Sequence, residues 1–423
     1  MNANLELEKK ILKLIKSFNS GDYNFVIKNA SNLFKTNRNI IVLPNLIGAS
    51  YAAIGNHEEA INNYKRGLKI EYKNKELLNN LGKSQIAIKL FDEALNVFNE
   101  SKQIDPNNFD VFFNLGIIYY EKGNYKESLK NYLISIKLND KFDKSYYNTA
   151  ILLSKIGKNK ESEKYFLNAL ELNPTNVKVL NNLANYYINE NKYHLAFDCL
   201  NRAIKIEPNY SRAYSNLGVL FLQSKDYNSS LINFTKAFEL NNNLIVAGIQ
   251  KHFLKRYLCD WSDINELKTI LHKTINSEDQ ISPWYCLSFE DNPENHFIRA
   301  KRYSKKFNLL KQNKNIYSNK KIRIAYYAAD FHEHAGMINM SGIFQNHNKN
   351  EFEIYAFYYG DIKKDKTHYR IKKFFDKFFY VNDLDDTEIY NLSINNKVDI
   401  AIFRAGLTIN ARNTIFSHKV API

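Results

Sequence analysis

From about Ile41 to Leu244, apolar residues recur at helical spacings of three and four and are interrupted at regular intervals by polar turn formers, which predicts short amphipathic helices. The pattern repeats every 34 residues, most plainly in its small residues: Gly48, Gly82, Gly116, Ala150, Ala184 and Gly218. A second small series, Ala60, Ala94, Ser128, Ser162, Ala196 and Ser230, keeps the same step, and Tyr64, Phe98, Tyr132, Phe166 and Phe234 follow four residues after their respective members. Two antiparallel helices that approach closely need a small residue where their backbones cross, and a large ring then fills the gap beside it. Each unit is thus expected to be a helix pair whose apolar stripe is covered by the next unit. Gly55, Gly123 and Gly157 fall between the helices of their units, and Pro106, Pro174 and Pro208 fall near the ends of second helices, where they stop propagation. Gly21 and Phe25 to Phe34 fit the register of a degenerate leading unit, and Ile245 to Asn276 reads as helix closing the stack. The expected divisions are 1–244 for the superhelix, 245–320 for a helical junction and 321–423 for a different kind of region.

In that last region short apolar runs alternate with helical stretches. The runs are Ile322 to Ala329, Phe352 to Tyr359, Phe378 to Val381 and Val398 to Phe403; helix is expected to about His347, around Tyr369 to Lys377, and from Asp386 to Asn395. Alternation of this kind predicts a parallel sheet covered on both faces. Ligands of such sheets gather at the carboxyl ends of strands, which directs attention to Asp330 to Gly336 and Arg404 to Arg412.

Composition changes this picture little. The net charge of +15 comes from 59 Lys plus Arg against 44 Asp plus Glu, but the cations are dispersed among Asn, Ile and Tyr, which argues against a nucleic-acid footprint. Cys199, Cys259 and Cys286 are widely spaced, with no CxxC pattern, so reduced thiols in a cytoplasmic protein are expected. No run of about 18 apolar residues is present to span a membrane, and the N-terminal sequence lacks a signal-peptide core. Gly82, Lys83 and Ser84 read as the end of a phosphate loop, but Leu77 stands where the first glycine is required. No GxGxxG follows the strand at Ile322, and the many Tyr and Phe fall mostly on repeat positions suited to packing.

Two constellations carry candidate chemistry. Asn80, Asn114, Asn148, Asn182 and Asn216 each precede the small residue by two positions and form one line along the first helices. First helices line the concave side of such a superhelix, where a row of carboxamides can donate to and accept from an extended peptide backbone. The alternative is that the same amides cap or bridge neighbouring helices. The second constellation is DFHEHAG, directly after a strand, in which Asp330 and His334 stand four apart with His332 between. A carboxylate that orients an imidazole suits acid/base chemistry. A metal held by His332, His334 and His347 is the rival, weakened by the lack of an acidic third ligand; no metal is expected.

The repeat residues resemble the tetratricopeptide family, with six regular units from Ile41 to Leu244. The stretch IRIAYYAADFHEHAGMINMSGIFQNHNKNEFEIYAFYYG, with the later LTINAR and KVAPI, resembles the start of the catalytic region of the O-linked N-acetylglucosamine transferase family, which includes Spindly-type relatives. CDWSD (Cys259 to Asp263) and SPWYCLSFEDNPE (Ser282 to Glu294) are similar to that family's junction. The resemblance implies an α-solenoid followed by a partial α/β Rossmann-like lobe of a GT-B glycosyltransferase. It also implies inverting transfer of a sugar from a nucleotide sugar, typically UDP-N-acetylglucosamine as substrate, to Ser or Thr hydroxyls, without metal or other cofactor. In that scheme Asp330 and His334 lie beside donor sugar and acceptor hydroxyl, Thr408 and Arg412 shape the cleft, and the Asn row holds the acceptor protein. Leu407, Asn410, Phe403 and Arg404 depart from the family's pattern. Relatives continue past the point equivalent to Ile423 into a second lobe that holds the nucleotide, so this chain is expected to be an amino-terminal portion, inactive alone. The competing expectation is a non-enzymatic scaffold that binds peptides or proteins.

Overall fold

The protein is known from a computed structural model, which describes residues 2–276, 284–287, 289–304, 317–403, 412, 414–417, 420 and 421. The chain divides into two compact units, Met1–Leu220 and Phe221–Ile423.

The first unit is all helical. α1 (Asn2–Asn19) and α2 (Tyr23–Thr36) form a leading pair. Pairs then follow in the expected register: α3 (Val42–Ala53) with α4 (His57–Ile70), α5 (Lys75–Ala87) with α6 (Phe91–Ile104), α7 (Phe109–Glu121) with α8 (Tyr125–Leu138), α9 (Asp143–Lys155) with α10 (Asn159–Leu172), and α11 (Val177–Asn189) with α12 (Tyr193–Ile206). The unit ends within α13 (Ser211–Gln223).

The small-and-large pairing is literal. A Cβ placed on Gly48 would lie 2.6 Å from the Tyr64 ring and one on Gly82 2.5 Å from the Phe98 ring, and the Tyr132 ring covers Gly116 in the same way. The second small series does more than make room: Ser128 donates its hydroxyl to the Gly116 carbonyl and Ser162 to the Ala150 carbonyl, both at 2.8 Å, tying second helix to first. Successive first helices also pack on one another, α3 on α5 and α5 on α7, which makes them the inner wall of the stack.

The turn between paired helices is equally regular. Gly21, Gly55, Lys89, Gly123, Gly157, Asn191, Lys225 and Cys259 stand 34 apart, and all have positive φ, between 58° and 83°. A left-handed residue there ends the first helix and lets the chain reverse. Lys225 and Cys259 carry this register into the second unit.

There, α13 completes and α14 (Tyr227–Leu240) packs on α15 (Ile245–Tyr257), which packs on α16 (Ile264–Asn276). The α15–α16 pair therefore carries the repeat's turn residue, but its second helix starts five residues after the turn residue instead of two. The inserted residues have their own bonds: Asp260 Oδ1 accepts from the Ser262 backbone at 2.9 Å, Lys255 pairs with Asp260 and Asp263, and the Arg256 guanidinium lies 5.2 Å from the Trp261 ring. Short α17 (Trp284–Leu287) and α18 (Pro293–Ser304) follow.

The sheet contains β1 (Ile322–Ala328), β2 (Phe352–Tyr358), β3 (Lys377–Tyr380) and β4 (Ile400–Phe403), all parallel in the order β3-β2-β1-β4. Because both faces are covered, the strands are mostly apolar, and the charges at the start of β1 and β2, Arg323 and Glu353, pair with each other at 3.0 Å. On one face Ile324, Tyr326, Ala328, Ile354 and Tyr358 meet Met337 and Phe344 of α19 (Ala335–Gln345) and Ile371 of α20 (Lys366–Lys372). On the other, Ala325, Tyr327, Tyr355 and Phe357 meet Ile389 of α21 (Asp386–Asn395) and Ile415 of α22 (Thr414–Ser417). One boundary differs from expectation. The basic helix expected over Tyr369 to Lys377 begins at Lys366, because Asp365 caps it by accepting from the His368 N–H at 2.8 Å. It ends at Lys372, ahead of Asp376, which accepts from the Ile354 N–H at 2.7 Å and immediately precedes β3.

Candidate functional site

The chain runs β1, β2, β3 outward in one direction and then returns to place β4 on the other flank of β1. The order of the sheet therefore switches between β1 and β4, where Tyr327 pairs with Phe403. A crevice opens at such a switch, outside the carboxyl ends of the strands. Both loops singled out from the sequence leave the sheet at these two neighbouring strand ends.

In the loop after β1, His334 Nδ1 lies 3.1 Å from Asp330 Oδ2. Asp330 is mostly covered and His334 is about half exposed, with side-chain exposures of 19% and 53%, so the imidazole has one edge on a carboxylate and the other toward solvent. His334 also stands at the N-cap of α19, where Nδ1 is 3.2 Å from the Gly336 N–H. One nitrogen cannot serve both partners. When Nδ1 carries the proton it donates to Asp330 and leaves Nε2 as a free acceptor; when Nδ1 is bare it caps the helix. The pair thus has two proton arrangements of similar geometry.

Three residues not singled out from the sequence fix this loop. Fully buried His368 presents Nδ1 to the Phe331 carbonyl at 2.8 Å and Nε2 to the Tyr380 hydroxyl at 2.9 Å. Since the carbonyl can only accept, Nδ1 carries the proton. Asp365 accepts from the Glu333 N–H at 2.7 Å as well as capping α20. Its pKa is lowered although burial opposes this, because the Glu333 and His368 N–H groups donate to it. Tyr358 holds His332 Nδ1 at 2.8 Å; burial, followed by the nearby Lys363, pushes the His332 imidazole below its usual pKa. The available signal was the capping aspartate in DKTH, which a helix begun at Tyr369 leaves out. His347, the third member of the metal alternative, is instead taken up by the Tyr326 hydroxyl at 2.8 Å beyond the far end of α19. Among the described residues no cluster of three His, Cys, Asp or Glu side chains forms a metal site.

Of the second loop, Thr408 lies outside the described residues, as do Arg404, Leu407 and Asn410. Arg412 is described, and its guanidinium is committed to structure. Nε donates to Asp386 Oδ1 at 2.9 Å and Nη2 to the Leu384 carbonyl at 2.9 Å, fastening this part of the chain to the start of α21.

The asparagine row lies along the inner wall. Asn80 Nδ2 donates to Asn45 Oδ1 at 3.1 Å, Asn182 to the Tyr147 hydroxyl at 2.8 Å, and Asn216 to Asn181 Oδ1 at 2.9 Å. Each of these bonds joins a first helix to the preceding first helix, so the bridging alternative describes the donors. Asn148 makes only a long 3.5 Å approach to the Tyr132 hydroxyl. Buried Asn114 turns back on its own helix, to the Asp110 carbonyl at 2.7 Å. The Oδ1 atoms of Asn80, Asn148, Asn182 and Asn216 accept no hydrogen bond from a described residue. Asn182 also lines a cavity of about 210 Å³ with Ile151, Ser154, Phe166 and Asn185.

Stacked helix pairs of this kind are tetratricopeptide-type repeats, and a parallel α/β sheet follows them along the chain. Sequence comparison gives the same division. Tetratricopeptide-repeat models match residues 45–74, 91–123, 109–142, 143–176, 165–197 and 211–244, and the model described as Glycosyl transferase family 41 matches residues 300–423. The chain thus carries tetratricopeptide repeats followed by a family 41 segment. A probable UDP-N-acetylglucosamine–peptide N-acetylglucosaminyltransferase SEC of Arabidopsis thaliana is 22% identical over 186 residues, 39% of this chain and 19% of the relative. This chain therefore spans about a fifth of that relative's length. Among solved structures, the APC/C hetero-tetramer Cut9-Hcn1 is similar over 58% of this chain and 48% of its own, with TM-score 0.50 and 16% identity, a likeness of fold. An O-GlcNAc transferase mutant of Thermobaculum terrenum covers 66% of this chain and 49% of its own, with TM-score 0.36 and 18% identity. The family match and the Arabidopsis relative support a glycosyltransferase-like role, and the repeats support binding of peptides or proteins. No described helix is long and apolar enough to cross a membrane.

Proposed function

We propose that the chain serves protein O-glycosylation, with the repeats docking an acceptor polypeptide and the sheet region contributing contacts to acceptor and donor sugar. The observation that carries this reading is the Asp330–His334 pair at the switch point of a sheet matched by family 41. The donor is a nucleotide sugar, UDP-N-acetylglucosamine by likeness to the Arabidopsis relative's stated activity. In transfer the Ser or Thr oxygen bonds to the anomeric carbon, the bond from that carbon to the diphosphate oxygen breaks, and the hydroxyl proton must be taken up. With Nδ1–H donated to Asp330, His334 Nε2 is the acceptor for that proton. By likeness to the family, we assign Thr408 and Arg412 a part in shaping the donor cleft. The Oδ1 row accepts from the acceptor's backbone N–H groups, a mode with little sequence preference. We place the protein in the cytoplasm, where the three free thiols, two of them buried, remain reduced.

The test is sugar incorporation from UDP-N-acetylglucosamine into Ser/Thr peptides by the full-length protein and its His334→Ala variant. Loss of transfer with peptide binding retained is expected. Transfer at the original rate in the variant removes His334 from the reaction, and peptide binding with no transfer by the unaltered protein favours the scaffold.

A further inference from the structure

The carboxyl ends of α2 and α4, with Ile47 of α3, line a cavity of about 540 Å³ whose other lining residues are Ser31, Phe34, Lys35, Arg38, Arg66, Lys69 and Ile70. Its apolar lining is Phe34, Ile47 and Ile70, and the four cationic side chains are all exposed. Two of these reach only carboxamide oxygens: Lys35 Nζ to Asn32 at 3.3 Å and Arg66 Nη1 to Asn63 at 3.4 Å. Among the described residues none of the four forms an ion pair with a carboxylate. Later units behave differently, for there lysines find carboxylates, Lys75 with Asp105 at 3.2 Å within one unit, and Lys83 with Asp110 at 2.5 Å and Lys122 with Asp92 across units.

Helix ends account for part of this charge. Lys35 and Lys69 occupy the last turns of α2 and α4, where each macrodipole presents about half a negative charge. Two helix ends thus offset about one of four positive charges, and the remainder surrounds a recess with an apolar lining. We propose that this cavity is a docking site for an acidic polypeptide segment, one that sets carboxylates on the cationic rim and an apolar side chain on Phe34, Ile47 and Ile70.

A peptide fits the site better than other polyanions do. Nucleic acid requires a continued track of unpaired cations, and in the units that follow the lysines just named are taken up by aspartates. A membrane surface would engage apolar groups that project, whereas here Ile47 is buried in the recess. The assignment is independent of the glycosylation reading, since it uses neither the sheet nor the asparagine row.

The test is fluorescence anisotropy on the full chain with a labelled peptide of alternating Asp, Glu and Leu, and with its Asn/Gln counterpart. The acidic peptide should bind, the neutral one at least tenfold more weakly, and binding should weaken as salt is raised. Lys35→Glu with Arg66→Glu, both at exposed positions, should weaken binding at least tenfold with the helical circular dichroism unchanged. Lys160→Glu with Lys164→Glu, both exposed on α10, should leave acidic-peptide binding as it was. Equal binding of the neutral peptide, or full binding by the charge-reversed variant, overturns the proposal. So does charge-reversal-sensitive binding of duplex DNA or anionic vesicles without binding of the peptide.

Discussion

Gly116 lies under the Tyr132 ring, and no Cβ fits there without moving the ring. Gly116→Ala should therefore destabilise the chain by roughly 1–3 kcal/mol through overpacking, seen as a lower urea midpoint with an unchanged slope. The turn positions give the opposite case. Lys89 and Lys225 adopt φ of 63° and 64°, a conformation that costs a residue with a Cβ about 1–2 kcal/mol. Lys89→Gly removes that cost and returns about 0.4–1 kcal/mol of unfolded-chain entropy, so a net gain of roughly 0.5–1 kcal/mol is expected by the same measurement. These two sites also mark how far single residues can be read. The glycines between helices were visible because glycine suits the turn, whereas Lys89, Asn191 and Lys225 perform the same task without advertising it. Serines of the second small series looked like small residues only, because a hydroxyl's partner on a facing helix leaves no trace in spacing.

Elements were more legible than residues where the apolar period was long, and less so where a side chain decided the boundary. The helix Asp386–Asn395 was foreseen to the residue, since Asp385 and Glu388 form a capping box there. Helix α20 was displaced because its start depends on Asp365, whose carboxylate also answers to a distant loop. Closing helices α15 and α16 were foreseen as helix but not as a pair with the repeat's own turn, because three extra residues blur the period. Their interior carries a pH dependence. His252 of α15 is fully buried, and burial holds its pKa down; burial does the same for His347 and His332. An unfolded chain takes up protons on these imidazoles at a higher pH than the folded one does. Stability should therefore fall as pH drops below about 6.5, the unperturbed histidine value. Unperturbed carboxyl groups titrate at about 3.9 and 4.3, so the loss between about pH 7.5 and 5.5 belongs mainly to imidazoles. Urea midpoints at the two pH values should differ less in His252→Gln than in the unaltered protein, and an equal difference would exclude His252 as a source.

Across the whole molecule, order along the chain did not reveal order across the sheet. The strands were legible as apolar runs, but nothing local states that β4 returns to the flank of β1 rather than extending beyond β3, and that placement sets the switch point. The asparagine row was legible as a line and ambiguous as a task, because spacing fixes where a carboxamide sits and not which of its two ends is occupied. In the structure the NH2 ends of Asn80, Asn182 and Asn216 bridge successive first helices while their oxygens accept no hydrogen bond from a described residue, so one side chain can hold the wall together and still receive a peptide. Replacing these three by Ala tests both tasks at once. Each bridge should contribute roughly 0.5–1.5 kcal/mol; Asn80 is three units from Asn182 and adds independently of it, whereas Asn182 and Asn216 stand on neighbouring first helices and couple. The triple variant should lose on the order of 1.5–4.5 kcal/mol of stability and bind many extended peptides more weakly by a similar factor. Stability lost with peptide affinity intact would confine the row to bridging. Affinity lost for one peptide alone would replace backbone gripping with a dedicated pocket, for which the cavity beside Asn182 is the place.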